Sequence, residues 1–139
     1  MRRKFYIAYG SNLNFRQMRM RCPQAKPVGS VILEDYELLF HGVATIAPKA
    51  GSSVPCGLWL ISKKDEIALD RYEGWPNLYR KEKVEVQFGK RQMQVMTYIM
   101  NTGSPHPPTQ RYHHTILQGY WDFDLDMTVL TEAVRKSKP

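Results

Sequence analysis

A chain of 139 residues with 42% apolar and 24% charged content lies in the ordinary globular range and is long enough to bury a core without disulfide or metal staples. No stretch is long and apolar enough to cross a membrane, and the apolar run after Arg2-Arg3-Lys4 is too short for a signal peptide. A cytoplasmic protein with one domain over residues 1–139 is therefore expected. The formal net charge of +7 is dispersed and lacks an aromatic-rich RNA-binding signature, so neither nucleic acid nor membrane is the expected partner.

The first element is a strand, Phe5-Tyr6-Ile7-Ala8-Tyr9, that runs into the turn Gly10-Ser11-Asn12-Leu13. Gly10 opens backbone conformations closed to residues with a Cβ, and Ser11 and Asn12 can cap a helix or hold a ligand. Backbone N–H groups gathered at such a turn suit a carboxylate or an oxyanion. The turn alone reads first as a strand end before a capped helix. Asn14 to Arg21 reads as that helix, capped by Asn12 or Asn14 and stopped by Pro23.

Residues 25–30 read as a connector, followed by a strand from Val31 to Phe40 with a bulge or bend at Glu34-Asp35. A short strand over 43–47, a loop over 48–53 and a strand over 54–61 come next. Ser62 caps a helix from Lys63 to Tyr72 with Asp65 as reciprocal partner, its inner face carrying Ile67 and Leu69. The loop 73–79 precedes two strands, 80–88 and 93–100, joined by a hairpin turn at Gly89-Lys90. A helix from Thr109 or Gln110 is expected to close at Gly119, and a last one spans about 125–135. About six strands with interspersed short helices predict an α+β fold, a small, mostly antiparallel β-barrel with flanking helices.

Several chemistries drop out. The four histidines and two cysteines lack zinc-ligand spacing, and there is no phosphate-binding loop, dinucleotide fingerprint or nucleophile elbow. No metal and no cofactor are therefore expected. Glu73 is the chemical candidate, because a carboxylate between Tyr72 and Gly74-Trp75-Pro76 is partly desolvated, which raises its pKa toward what a general base near neutral pH needs. A solvated loop glutamate is the competing reading. Tyr79 and Tyr112 taken singly read as core or surface tyrosines.

The motif Tyr9-Gly10-Ser11-Asn12-Leu13 after a strand, followed at a distance by Tyr72-Glu73-Gly74-Trp75-Pro76 and Leu78-Tyr79, resembles the γ-glutamylcyclotransferase family. The likeness extends to His41-Gly42-Val43-Ala44-Thr45-Ile46, Gly57-Leu58-Trp59 and Pro107-Pro108-Thr109-Gln110-Arg111-Tyr112. It implies a small barrel, commonly dimeric, so that a homodimer is among the expectations. It further implies a cofactor-free enzyme that cleaves a small-molecule γ-glutamyl substrate to 5-oxoproline and a free amino acid or amine. By the same resemblance Glu73 is the general acid/base, Tyr6, Ile7, Ala8, Tyr9, Gly10, Ser11 and Asn12 hold the γ-glutamyl head, and Tyr79 and Tyr112 are the motif tyrosines. Three alternatives stay open: a non-catalytic binding module of the same fold, a cyclotransferase for a specialised γ-glutamyl amide, and a nucleic-acid-binding small barrel.

Overall fold

In the computed structural model, which describes residues 2–139, β1 (Arg3–Ala8) is the central strand of a five-stranded sheet. Its Tyr6, Ile7 and Ala8 are buried, as a strand covered on both faces requires. The others are β2 (Lys26–His41), β3 (Val43–Ser62), β4 (Tyr79–Phe88) and β5 (Arg91–Met100), in the order β2-β3-β1-β5-β4. β1 runs antiparallel to β3, from Arg3↔Ser62 to Ala8↔Gly57, and parallel to β5 at Tyr6↔Met96. The sheet is thus mixed, with every other pairing antiparallel.

The sheet curls without closing into a barrel. A Cβ on Gly29 of β2 would lie 2.8 Å from the Phe88 ring of β4, so the two edges approach, yet no β2–β4 ladder joins them among the described residues. The start of β3 also reaches across to the far strands, where Met100 N donates to Thr45 Oγ1 at 3.0 Å. The α+β expectation holds in this curled, open form.

Two expected connectors are strand instead. Residues 26–30 belong to β2 and residues 48–53 to β3: Lys26, Pro27, Gly29 and Ser30 pair with β3, and Pro48 and Ser53 pair with Tyr36 and Glu34 of β2. Pairing overrides the weak local propensity of Pro27, Gly29, Pro48 and Ser53, while Gly51 N donates to Asp35 Oδ1 at 3.0 Å. The expected bend at Glu34-Asp35 is present as a register shift between Glu34 and Tyr36, with Asp35 at φ 65.

Four helices flank the sheet: α1 (Phe15–Arg21), α2 (Lys63–Glu73), α3 (Gln110–Asp122) and α4 (Thr128–Ser137). Asn14 caps α1, its side chain accepting from Gln17 N, and Asp122 of α3 accepts from Phe15 N at 2.8 Å. α3 does not stop at Gly119. A Cβ there would fall 2.5 Å from Leu13 Cβ and 2.7 Å from Asn14 N, so the glycine lets α3 lie against the turn after β1. No helix among the described residues is long and apolar enough to cross a membrane. The buried apolar side chains form a core in which Phe15, Trp59 and Phe123 meet edge to face.

Candidate active site

The chain leaves β1 through Tyr9 and Gly10 into a single 3-10 turn, Ser11–Leu13. Leu13 N donates to Gly10 O and Asn14 N to Ser11 O, so the N–H groups of Ser11 and Asn12 are not used in the turn's own bonds. Gly10 matters for space rather than for a left-handed φ. Its φ is −127, and a Cβ would sit 3.0 Å from Ala44 Cβ and 3.4 Å from Tyr112 Oη.

Asn12 braces the turn. It is buried, its Nδ2 donates to Tyr6 Oη at 3.0 Å, its Oδ1 accepts from Arg21 and its carbonyl accepts from Trp59 Nε1 at 3.0 Å. Ser11 Oγ lies 2.8 Å from Tyr72 Oη, which ties the turn to the end of α2.

α2 aims Glu73 at the same place. Ser62 and Asp65 form a reciprocal capping box at its start. At its end Gly74 takes φ 69, Gly74 N donates to Arg71 O and Trp75 N to Asp70 O, a Schellman closure that needs a left-handed residue after Glu73. Asp65, Leu69 and Glu73 share one face at a spacing of four, and burial of Asp65 and Leu69 turns that face inward. Ile67, expected on the inner face, lies on the exposed side instead.

Turn and helix end meet in a cleft of about 260 Å³. Tyr6, Tyr9, Gly10, Ser11, Asn12, Glu73, Tyr79 and Tyr112, all expected site residues, line it. Ile7 and Ala8 do not. They point into the core, where the Ile7 carbonyl accepts from Thr97 Oγ1 at 3.0 Å. Val43, Ala44, Tyr72 and Leu78 line the cleft as well. Tyr72 was legible as the neighbour of Glu73, whereas Val43 and Ala44 arrive through the curl of β3, which no local pattern announces.

The hydroxyls divide by what they can still offer. Tyr9 donates to the Tyr98 carbonyl at 2.5 Å and Tyr79 to the Ala44 carbonyl at 2.6 Å, so toward the cleft both present acceptor lone pairs. Tyr112 Oη instead accepts from Ala44 N at 3.0 Å and keeps its proton to donate. Burial raises the pKa of Tyr6, Tyr9, Tyr79 and Tyr112, so these phenols stay neutral near pH 7.

Glu73 is the group that can titrate there. Its carboxylate makes no hydrogen bond or ion pair among the described residues, and desolvation pushes its pKa up to about 7, with the Arg21 charge opposing. No set of three His, Cys, Asp or Glu side chains placed to hold a metal occurs among the described residues.

The sequence model of the family described as "Gamma-glutamyl cyclotransferase, AIG2-like" matches residues 6–123. The chain belongs to that family. It is 30% identical to the Gamma-glutamylcyclotransferase of Homo sapiens over 129 residues, covering 82% of this chain and 68% of that protein. The Bos taurus protein of the same name is equally similar, at 30% over the same coverage. A solved structure named Gamma-glutamyl cyclotransferase superposes with a TM-score of 0.87 at 24% identity, over 99% of this chain and 89% of that one. YkqA from Bacillus subtilis gives a TM-score of 0.82 at 24% identity, over 99% of this chain and 55% of that one. These two likenesses bear on the fold, and family membership rests on the sequence.

Proposed function

We propose that the cleft converts a γ-glutamyl amino acid or amine into 5-oxoproline and a free amine. The observation that carries this reading is a carboxylate with a pKa of about 7 and no hydrogen-bond or ion-pair partner among the described residues, in the same small aromatic cleft as a turn whose own bonds leave the Ser11 and Asn12 N–H groups unused. A group that titrates near neutrality can both take and return a proton at working pH.

The donor and acceptor pattern fits both ends of a γ-glutamyl head. The Ser11 and Asn12 N–H groups and the Tyr112 hydroxyl are donors suited to the α-carboxylate or to the oxyanion. The Tyr9 and Tyr79 oxygens, with their protons committed to backbone carbonyls, accept from the α-amino group.

In the reaction, the nitrogen of the neutral α-amino group forms a bond to the γ-carbonyl carbon as Glu73 takes the one proton that nitrogen must shed. The tetrahedral oxyanion collapses, the bond from that carbon to the leaving nitrogen breaks, and Glu73 returns the proton to that nitrogen. The ring closes on 5-oxoproline with no external reactant. Holding the flexible chain curled supplies most of the remaining advantage, because attack within one molecule replaces a bimolecular encounter.

The test is a panel of γ-glutamyl amino acids and γ-glutamyl amines with 5-oxoproline detected directly, run beside Glu73→Gln. Wild type is expected to turn over at least one member, and E73Q to lose roughly 100-fold or more in kcat, as removal of a general base does. No product from any donor, beside ligand-induced thermal stabilisation, would instead mark a binding module.

A further inference from the structure

Arg21 closes α1, outside the lining of the cleft, and is tethered on three sides. Its Nη1 donates to Asn12 Oδ1, its Nη2 donates to Gln17 Oε1 at 2.9 Å, and its guanidinium carbon lies 3.5 Å from the centroid of the Tyr72 ring. Each tether is itself fixed. Asn12 is held by Tyr6 and Trp59, and the Tyr72 hydroxyl rests on Ser11. Gln17 sits one turn back on the same helix. The planar fork therefore joins the turn after β1 to the last turn of α2, the two pieces that make the site.

The groups around Glu73 come from every element packed around it: Tyr6 from β1, Tyr9 just after it, Tyr72 from its own helix, Tyr79 from β4, Tyr112 from α3 and Arg21 from α1. Phenols are uncharged near neutral pH, which leaves the guanidinium as the fixed charge in this set.

We propose that Arg21 is a positioning residue of this site, stacking Tyr72 against the turn and serving as the counter-charge that favours the ionised form of Glu73. Burial alone drives Glu73 toward its neutral form, in which it cannot act as a base, and the nearby cation limits that drive. The Tyr72 stack holds the residue next to Glu73 in place, so the orientation of the carboxylate and its charge state depend on one side chain. The consequence for turnover rests on the cyclotransferase reading above, whereas the electrostatic role does not.

The test follows the Glu73 carboxyl carbon by NMR through a pH titration of the substrate-free protein, in wild type, Arg21→Met and Arg21→Lys. Met keeps much of the volume and removes the charge. Lys keeps the charge and loses the flat face that stacks. The Glu73 midpoint is expected to move up by roughly one pH unit in R21M and to return most of the way in R21K. In active protein the acidic limb of kcat/KM follows the same shifts, and in R21K KM stays raised because Tyr72 is no longer stacked. Arg21→Gln, also neutral, takes the place of R21M if the Met variant does not fold by circular dichroism. Unchanged midpoints in folded neutral variants, or a downward shift, overturn the proposal. Wild type that releases no 5-oxoproline, beside a midpoint that moves as expected, overturns the cyclotransferase reading and leaves the electrostatic role of Arg21 standing.

Discussion

Ionising Glu73 costs the folded protein free energy, since the carboxylate leaves water and gains no hydrogen bond in return. Its pKa is raised on folding from 4.5 to about 7, so the neutral acid is the form that folding tolerates. The stability tied to this residue is therefore fully present below about pH 4.5 and is lost as pH rises to about 7 and beyond. Glu73→Gln, neutral at every pH, is predicted to match wild type at pH 4 and to exceed it at pH 8 by at most about 3 kcal/mol. Urea denaturation of both proteins at the two pH values measures this, and a variant less stable than wild type at pH 8 contradicts it. At this scale the sequence exposed the carboxylate, because Tyr72 and Gly74-Trp75 flank it. It did not expose Arg21, whose contact with Tyr72 no local spacing encodes. Nor did it separate the roles of Asn12, which reads as a cap or a ligand: its side-chain oxygen, side-chain amide and carbonyl are bonded within the scaffold, while the residue lines the cleft.

The elements that aim the site are α2 and α3. The cap of α2 was legible because Ser62 and Asp65 stand at the reciprocal spacing, and removing the Ser62 hydroxyl is predicted to cost about 1 kcal/mol in denaturant titrations of Ser62→Ala. The end of α3 was not legible. A glycine that ends a helix and a glycine that admits a neighbouring backbone look alike in sequence, and Gly119 is the second kind. Adding a methyl group there puts atoms where Leu13 and Asn14 already are, so Gly119→Ala is predicted to destabilise by about 1–3 kcal/mol. Because α3 carries Tyr112, the same change should lower 5-oxoproline release beyond any loss of folded protein. Wild-type stability and rate in G119A would show that α3 docks elsewhere.

At the level of the whole molecule, the site exists where the curl of the sheet brings the start of β3 under the ends of β1 and α2. Tyr79 from β4 and Tyr112 from α3 bond to opposite sides of the Ala44 residue, one to its carbonyl and one to its N–H. The class of fold was legible from strand and helix periodicity. The closure was not, because whether two sheet edges pair or only approach depends on contacts such as Gly29 with Phe88, far apart in sequence. The long β2–β3 hairpin was read as shorter strands and loops for the same reason: Pro48 and Ser53, which flank its polar stretch, are held by Tyr36 and Glu34 of the partner strand rather than by their own propensity. What the curl achieves is the meeting of the turn after β1 with Glu73 at the end of α2 in one cleft.

The measurement that bears most directly on this account is the pH dependence of kcat/KM for a γ-glutamyl donor, in wild type and in Glu73→Gln. The account predicts a wild-type rate that rises with unit slope on the acidic side to a midpoint near the Glu73 pKa of about 7, and an E73Q protein that lacks both the rate and that limb. A wild-type profile flat from about pH 5 to 8, or an E73Q protein that keeps the wild-type rate and profile, would contradict it.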